Sequence, residues 1–373
     1  MKNEWYKTSL LSNCEMRYGV ADDQLLIRRN REQYLGPAYE VLEDGRVSVR
    51  LHYPNAAQVT LKSIWGEEFT LKKKGEFFTG TLELGTGLIG VDLYVDKSRS
   101  IDPFLPIGYG NNQANNYVDV PDGELHVTEK RVPHGTVNIS YLDSQVTGRL
   151  ERFLVYVPAG YEEDPTRRYP VLYLQHGHGE NEMVWFHQGK MNLLYDALIA
   201  EGRAVPALVV MCNGMYYQED GAGITLDTQM LSRLLLEEVI PYVDSHYRTI
   251  PDKAHRGMAG LSMGSAQTSI ITFTHPELFD YIGIFSGFVQ DVLTGVTDHV
   301  TEERLTFLAG QNKLIFRAMG DADEHFARFE SDDALLERCQ VPNIRKIYQG
   351  KHEWKVWRRC FCDFVQLIFR EDL

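Results

Sequence analysis

The segment Ala259-Gly260-Leu261-Ser262-Met263-Gly264 constrains this chain more than any other. An apolar strand-like run leads straight into a serine with glycine two positions before and two after, and a helical stretch follows. A serine in that setting sits on a strained turn with its hydroxyl projecting, and the small residues on either side let strand and helix approach without a clash. The Gly-x-Ser-x-Gly pentapeptide is common by chance, so its surroundings decide whether it carries chemistry.

Those surroundings divide into two parts. At 373 residues the chain exceeds a usual single domain, which favours two domains with a large buried core. Between Arg46 and Asp96 hydrophobicity alternates with period two in runs at 46–51, 59–64, 77–82 and 91–95, separated by Pro54-Asn55, Trp65-Gly66, Lys74-Gly75 and Gly85-Thr86-Gly87. Short alternating strands at this spacing indicate a small all-β sandwich. The polar stretch from Pro121 to Gly135 reads as a connector, giving a first domain over 1–125, a linker over 126–136 and a second domain over 137–373. In the second domain apolar runs at 153–157, 171–174, 208–211, 282–285 and 314–316 alternate with helical patterns at 191–200, 228–246, 263–274 and 354–369. Continuous apolar strands alternating with helices predict a mostly parallel sheet covered on both faces.

Composition narrows the partners. A formal charge of -14 disfavours nucleic acid and anionic membrane surfaces. The five cysteines (Cys14, Cys212, Cys339, Cys360 and Cys362) are odd in number and sparse, so no disulfide framework is expected. The first residues, Met1 to Lys7, lack the apolar core of a secretory leader, and no run reaches the length of a membrane span. The expectation is a cytoplasmic protein, although a chain trimmed of its leader would read the same way.

A serine hydroxyl needs a general base beside it and a carboxylate to orient that base. The strand, elbow and helix resemble the nucleophile elbow of the α/β-hydrolases, where the chain order is serine, acid, histidine. Downstream of Ser262, His275 ends the elbow helix, His299 lies in a polar variable stretch and His325 follows an acidic loop. His352, in Gly350-Lys351-His352-Glu353 between the run 344–348 and the last helix, stands where that order puts the base. The acid belongs on the loop after the 314–319 run, where Asp321, Asp323 and Glu324 compete and any of them could instead cap the next helix. An oxyanion hole needs two backbone N–H groups. One comes from Met263, and the other from Gln175-His176-Gly177-His178-Gly179, with the His178 amide the first candidate. His176 and His178 have no acidic or cysteine partner at ligand spacing, so no metal and no cofactor is expected.

Further stretches widen the resemblance. Tyr169 to Gly177, Trp185-Phe186 with Gly189, Leu198 to Gly202, Val209 to Met211 with Asn213-Gly214, Ala259 to Gly264 and Gly350 to Trp354 are together similar to the feruloyl-esterase and enterochelin-esterase branch of the α/β-hydrolases. Pro54-Asn55-Ala56 and Val95-Asp96 with Asp102-Pro103 resemble the early-set immunoglobulin-like, or glycogen-binding-type, module that precedes such esterases. The family's Gly-x-x-Asp tetrapeptide points to Asp323 within Gly320-Asp321-Ala322-Asp323, and its oxyanion donor maps to His178. Two positions depart, with Ser265 where a glycine is common and Glu180 where a small residue is common.

The resemblance implies a serine carboxylesterase for hydroxycinnamoyl esters of plant-derived carbohydrates or small molecules. The alternatives are an acetyl-xylan esterase, a catechol-siderophore esterase, or an inert carbohydrate-binding scaffold. Candidate substrate-binding residues are Trp185, Phe186, Asn213, Tyr216 and Tyr217, because flat aromatic rings suit an aromatic acyl group. The front domain is expected to shape the substrate site or to form a homo-oligomer.

Overall fold

The structure is a computed structural model that describes residues 37–123, 125, 131–220, 223–289 and 301–370. Met1 to Lys7, Cys14, His299, residues 126–130 of the expected linker and residues 290–300 lie outside the described residues. The chain separates into two compact units, 1–130 and 131–373.

The first unit is all β. One antiparallel sheet runs Tyr39–Val41, Val47–His52, Phe77–Leu82, Lys72–Lys74. The other runs Glu68–Thr70, Val59–Ser63, Gly87–Val95, Gln113–Val120, Ile107–Gly110, with Ser98–Ser100 paired to Gly87–Val95. Period-two alternation turns Val47, Val49 and Leu51 inward to meet Leu61, Phe78, Leu93 and Val118 in one core. The outermost strands are short, and Lys72–Lys74 is wholly exposed lysine, a composition that discourages edge-to-edge pairing.

The second unit is built on an eight-stranded sheet in the order Thr136–Asp143, Leu150–Val157, Leu208–Cys212, Val171–Gln175, Arg256–Leu261, Tyr281–Phe285, Leu314–Gly320, Ile344–Tyr348. Leu150–Val157 is antiparallel to both its neighbours, and from Leu208–Cys212 onward the strands are parallel. The central strands are buried along their whole length, as apolar runs covered on both faces must be. On one face Tyr173, Val210 and Met258 pack with Leu231, Leu234, Leu235 and Val243. On the other, Phe364 of the C-terminal helix Trp354–Val365 lies 5.7 Å from the ring of Phe285 and 5.8 Å from that of Phe316.

The pattern read as one helix over 228–246 is three segments, α-helix Thr228–Arg233, π-helix Leu234–Val239 and α-helix Ile240–His246. Pro241 enters the last segment at its start, and with no N–H to donate it interrupts the regular ladder behind it. The strand Thr136–Asp143 begins at the end of the expected linker, and Tyr217–Asp220 pairs antiparallel with Gly223–Leu226. A short helix, Glu302–Leu308, precedes the strand Leu314–Gly320.

Register brings the loops together. Gln175 pairs with Gly260, Leu261 with Phe285, Phe285 with Ala318, and Gly320 with Tyr348. Five neighbouring strands therefore end close to level, and the loops after Gln175, Leu261, Gly320 and Tyr348 emerge at the same edge of the sheet. At the elbow a Cβ added to Gly260 would lie 2.3 Å from the Gly264 carbonyl oxygen, and one added to Gly264 would lie 2.4 Å from the His176 carbonyl oxygen. Both obstacles are backbone and cannot rotate aside. Gly260→Ala and Gly264→Ala should each cost about 1–3 kcal/mol or more. Thermal unfolding should record a lowered melting temperature for both, and unchanged melting would contradict this packing.

Candidate active site

Ser262 stands between strand Arg256–Leu261 and helix Met263–Thr274 with φ 51° and ψ −117°, a left-handed conformation costly for a residue with a Cβ. Neighbouring backbone holds it there. The Ser262 amide donates to the Phe285 carbonyl at 2.9 Å, and the Ser265 hydroxyl donates to the Ser262 carbonyl at 2.6 Å. Ser265, noted only as a departure in the sequence, thus braces the elbow from its first turn. The Ser262 side chain makes no helix-capping bond and turns instead to His352.

His352 Nε2 lies 2.9 Å from Ser262 Oγ, and His352 Nδ1 lies 2.8 Å from Asp323 Oδ2. The Asp323 side chain is fully buried, and its other oxygen accepts the His325 amide at 3.0 Å. Burial pushes the Asp323 carboxyl upward, but the hydrogen bond and charge of His352, with the His325 amide, hold it below its ordinary value of 3.8. An ionised Asp323 keeps the proton of neutral His352 on Nδ1, which leaves Nε2 to accept from Ser262. The His352 ring meets His325 edge-on at 5.3 Å and Trp357 edge-on at 5.1 Å, so its plane is set from two sides.

The three acidic residues of the loop separate by geometry. Asp321 Oδ1 accepts the Gly350 amide at 3.0 Å, and Ala322 donates to the Gly350 carbonyl at 2.9 Å, which pins the histidine loop. Glu324 is exposed and faces His325. Asp323 alone of the three reaches His352. His325, passed over in the sequence, shares the site because its amide falls two residues after Asp323, within reach of that carboxylate. Ligand atoms of Asp323, His325 and His352 all lie within 4.8 Å of one another, yet both His352 nitrogens are already engaged by Asp323 and Ser262.

The loop after Val171–Gln175 packs on the serine, since a Cβ added to Gly177 would lie 3.5 Å from Ser262 Cβ. Among the described residues neither the Met263 nor the His178 amide donates to a protein acceptor. His176 is buried and ties this loop to its neighbour, with Nδ1 donating to the Gly177 carbonyl at 2.8 Å and Nε2 accepting the Gly214 amide at 2.9 Å. Gln267 Nε2 then donates to the Gly214 carbonyl at 2.8 Å.

Two expected substrate-binding residues belong to the core instead. Trp185 is 1% exposed, donates from Nε1 to the Gln175 carbonyl at 2.8 Å and meets the rings of Trp354 at 5.2 Å and Phe361 at 5.8 Å. The stretch Val184–His187 is a helical turn, which hides one of two adjacent aromatics. Tyr216 is likewise buried, in the cluster of Phe153, Cys212 and Leu231. Phe186 and Asn213 are half-buried, Asn213 Oδ1 accepting the Met215 amide at 2.9 Å. Tyr217 is exposed on the hairpin strand Tyr217–Asp220.

The arrangement can pass a proton from a hydroxyl to an imidazole backed by a buried carboxylate. Known proteins resemble this chain in family and in fold. The family described as "Putative esterase" matches residues 144–367, and the chain belongs to that family. It is 32% identical over 342 residues to "Endo-1,4-beta-xylanase/feruloyl esterase" of Xylanibacter ruminicola, covering 88% of this chain and 46% of that protein. It is also 32% identical over 142 residues to "Endo-1,4-beta-xylanase Y" of Acetivibrio thermocellus, covering 35% of this chain and 12% of that one. The chain thus spans less than half the length of these curated relatives. Among solved structures, the enterobactin esterase of Shigella flexneri matches with TM-score 0.65 at 14% identity, over 93% of this chain and 98% of its own. A ferulic acid esterase of Anaeromyces mucronatus matches with TM-score 0.57 at 22% identity, over 67% of this chain and 96% of its own. At those identities the likeness is one of fold, and the fold is that of the α/β-hydrolases. Among the described residues no helix is long and apolar enough to cross a membrane.

His176 carries a pH prediction. Burial pushes its imidazole down from 6.5 to about 4, and the neutral ring is the form that can accept the Gly214 amide. The stability it contributes is complete above 6.5 and is lost as pH falls toward about 4. Urea unfolding of His176→Asn, whose side chain does not titrate, should show a shallower loss of stability across that window than wild type. Equal slopes would contradict the assignment.

Proposed function

We propose that this protein is a serine carboxylic ester hydrolase that works through an acyl-enzyme and acts on hydroxycinnamoyl esters of plant-derived carbohydrates. The observation that carries the reading is the continuous chain from Ser262 Oγ to His352 at 2.9 Å and on to Asp323 at 2.8 Å. On this reading Ser262 Oγ attacks the ester carbonyl carbon and gives its proton to His352 Nε2. Asp323 stabilises the imidazolium, and the Met263 and His178 amides receive the oxyanion. His352 returns the proton to the departing alcohol, leaving the acyl group on Ser262. Water, giving a proton to His352, then attacks the acyl carbon; the bond to Ser262 Oγ breaks, His352 returns the proton to Oγ, and the carboxylic acid leaves.

The substrate class draws support from the Xylanibacter ruminicola relative, whose name includes feruloyl esterase and which aligns over 88% of this chain. A second reading, opening of a catechol-siderophore lactone, draws on the enterobactin esterase whose fold matches over 93% of this chain. The half-buried ring of Phe186 and the exposed ring of Tyr217 are the remaining aromatic candidates to meet an acyl group. The proposed partner is a small-molecule or oligosaccharide ester.

Hydrolysis of methyl ferulate, an aryl acetate and a catecholate lactone, compared side by side, tests substrate and mechanism together. The ferulate should be the preferred ester, and Ser262→Ala should lose on the order of 10⁴-fold or more in kcat. Asp323→Asn should lose on the order of 10³- to 10⁴-fold by holding His352 in the wrong tautomer. Preference for the acetate or the lactone would overturn the substrate class, and a Ser262→Ala enzyme within tenfold of wild type would overturn the mechanism.

A further inference from the structure

Glu180, one of the two departures in the sequence, folds back on the loop that precedes it. Its amide donates to the Gly177 carbonyl at 3.3 Å, and its Oε2 accepts the Gly177 amide at 2.9 Å. Side chain and backbone thus clamp Gly177-His178-Gly179 into one short turn. A Cβ added to Gly177 would lie 3.2 Å from Glu180 Oε2 and 3.5 Å from Ser262 Cβ, so the carboxyl and the serine both lie close to Gly177. The indole of Trp354, which opens the C-terminal helix two residues after His352, also acts on this carboxyl. One side chain therefore meets both the loop that offers the His178 amide and the segment that follows His352.

We propose that Glu180 is a positioning residue that sets the His178 amide against Ser262 by holding the Gly177 amide and the Trp354 indole in a fixed relation. This rests on the reading of Ser262 as nucleophile and of the His178 amide as oxyanion donor. An oxyanion hole acts by preorganisation, so a donor displaced by a fraction of an ångström stabilises the transition state less while substrate still binds. Burial pushes the Glu180 carboxyl up to about 8 against the lowering pull of the Gly177 amide and the Trp354 indole. Near neutrality it therefore holds the loop without setting an anion beside the developing negative charge.

The test compares Glu180→Leu, which removes the acceptor, with Glu180→Gln, which keeps a carbonyl oxygen for the Gly177 amide. Each is assayed for kcat and KM per active site titrated with a fluorophosphonate, and for affinity toward a boronic acid that mimics the tetrahedral intermediate. Glu180→Leu should lose about 10- to 100-fold in kcat with KM within about threefold of wild type, and boronate affinity should fall in parallel. Glu180→Gln should recover most of that loss. If Glu180→Leu does not fold, Glu180→Asp carries the same test, because it withdraws the carboxyl by one methylene. Unchanged kcat in the Leu or Asp variant, a loss confined to KM or to the titrated fraction, or a Gln variant as impaired as Leu would overturn the proposal. Ser262→Ala run in parallel separates the two claims. An active Ser262→Ala enzyme sinks the serine reading, whereas failure of the Glu180 proposal leaves serine dependence and wild-type boronate binding intact.

Discussion

The close approach of three backbone segments around Ser262 governs the second unit. Gly260, Gly264 and the His176–Gly177 stretch come so near one another that none of the three glycines could carry a Cβ without meeting a neighbouring atom. Ser262, caught between them, takes a left-handed conformation that aims its side chain out of the sheet's end rather than into the helix it starts. The cost of that conformation, of order 1–3 kcal/mol, is carried by the burial and pairing of the surrounding strands. The parallel register then brings five neighbouring strand ends close to level, so that residues far apart in the chain share one small volume.

Electrostatics follow from this packing. A carboxylate buried as deeply as Asp323 is unfavourable unless hydrogen-bonded, and here one oxygen meets His352 while the other meets the His325 amide. Asp321 anchors the backbone of the histidine loop. His176 does the corresponding work on the other side of the serine, joining the 176–180 loop to Gly214 as a neutral ring. The groups around Ser262 are thus each held by a partner outside the reacting chain, which is what preorganisation of a polar site requires.

The strand runs, the elbow and the helix 263–274 were legible in the sequence because each rests on local signals, apolar periodicity and the spacing of small residues. His352 was legible from chain order. The acid was readable only as a loop holding three candidates, since Asp321 and Asp323 differ in tertiary contacts rather than in local pattern, and the resemblance was needed to prefer one. Trp185 and Tyr216 misled for the opposite reason. An aromatic in a loop-like stretch signals a binding surface or a core equally well, and only the helical turn Val184–His187 and the strand-to-hairpin passage after Cys212 send these two inward. The strand Thr136–Asp143 escaped because its exposed, mixed sequence is that of a sheet edge, which resembles a linker. Ser265 and Glu180 registered only as departures, although both bond the backbone beside the serine.

The central claim is that Ser262 carries the acyl group between two half-reactions. Acid quenching of the enzyme milliseconds after mixing with methyl ferulate, followed by mass spectrometry of the peptide bearing Ser262, tests it most directly. The account predicts one feruloyl adduct on Ser262, formed in a burst and decaying as substrate is exhausted. Turnover with no adduct at any time, or an adduct on a different side chain, would contradict it.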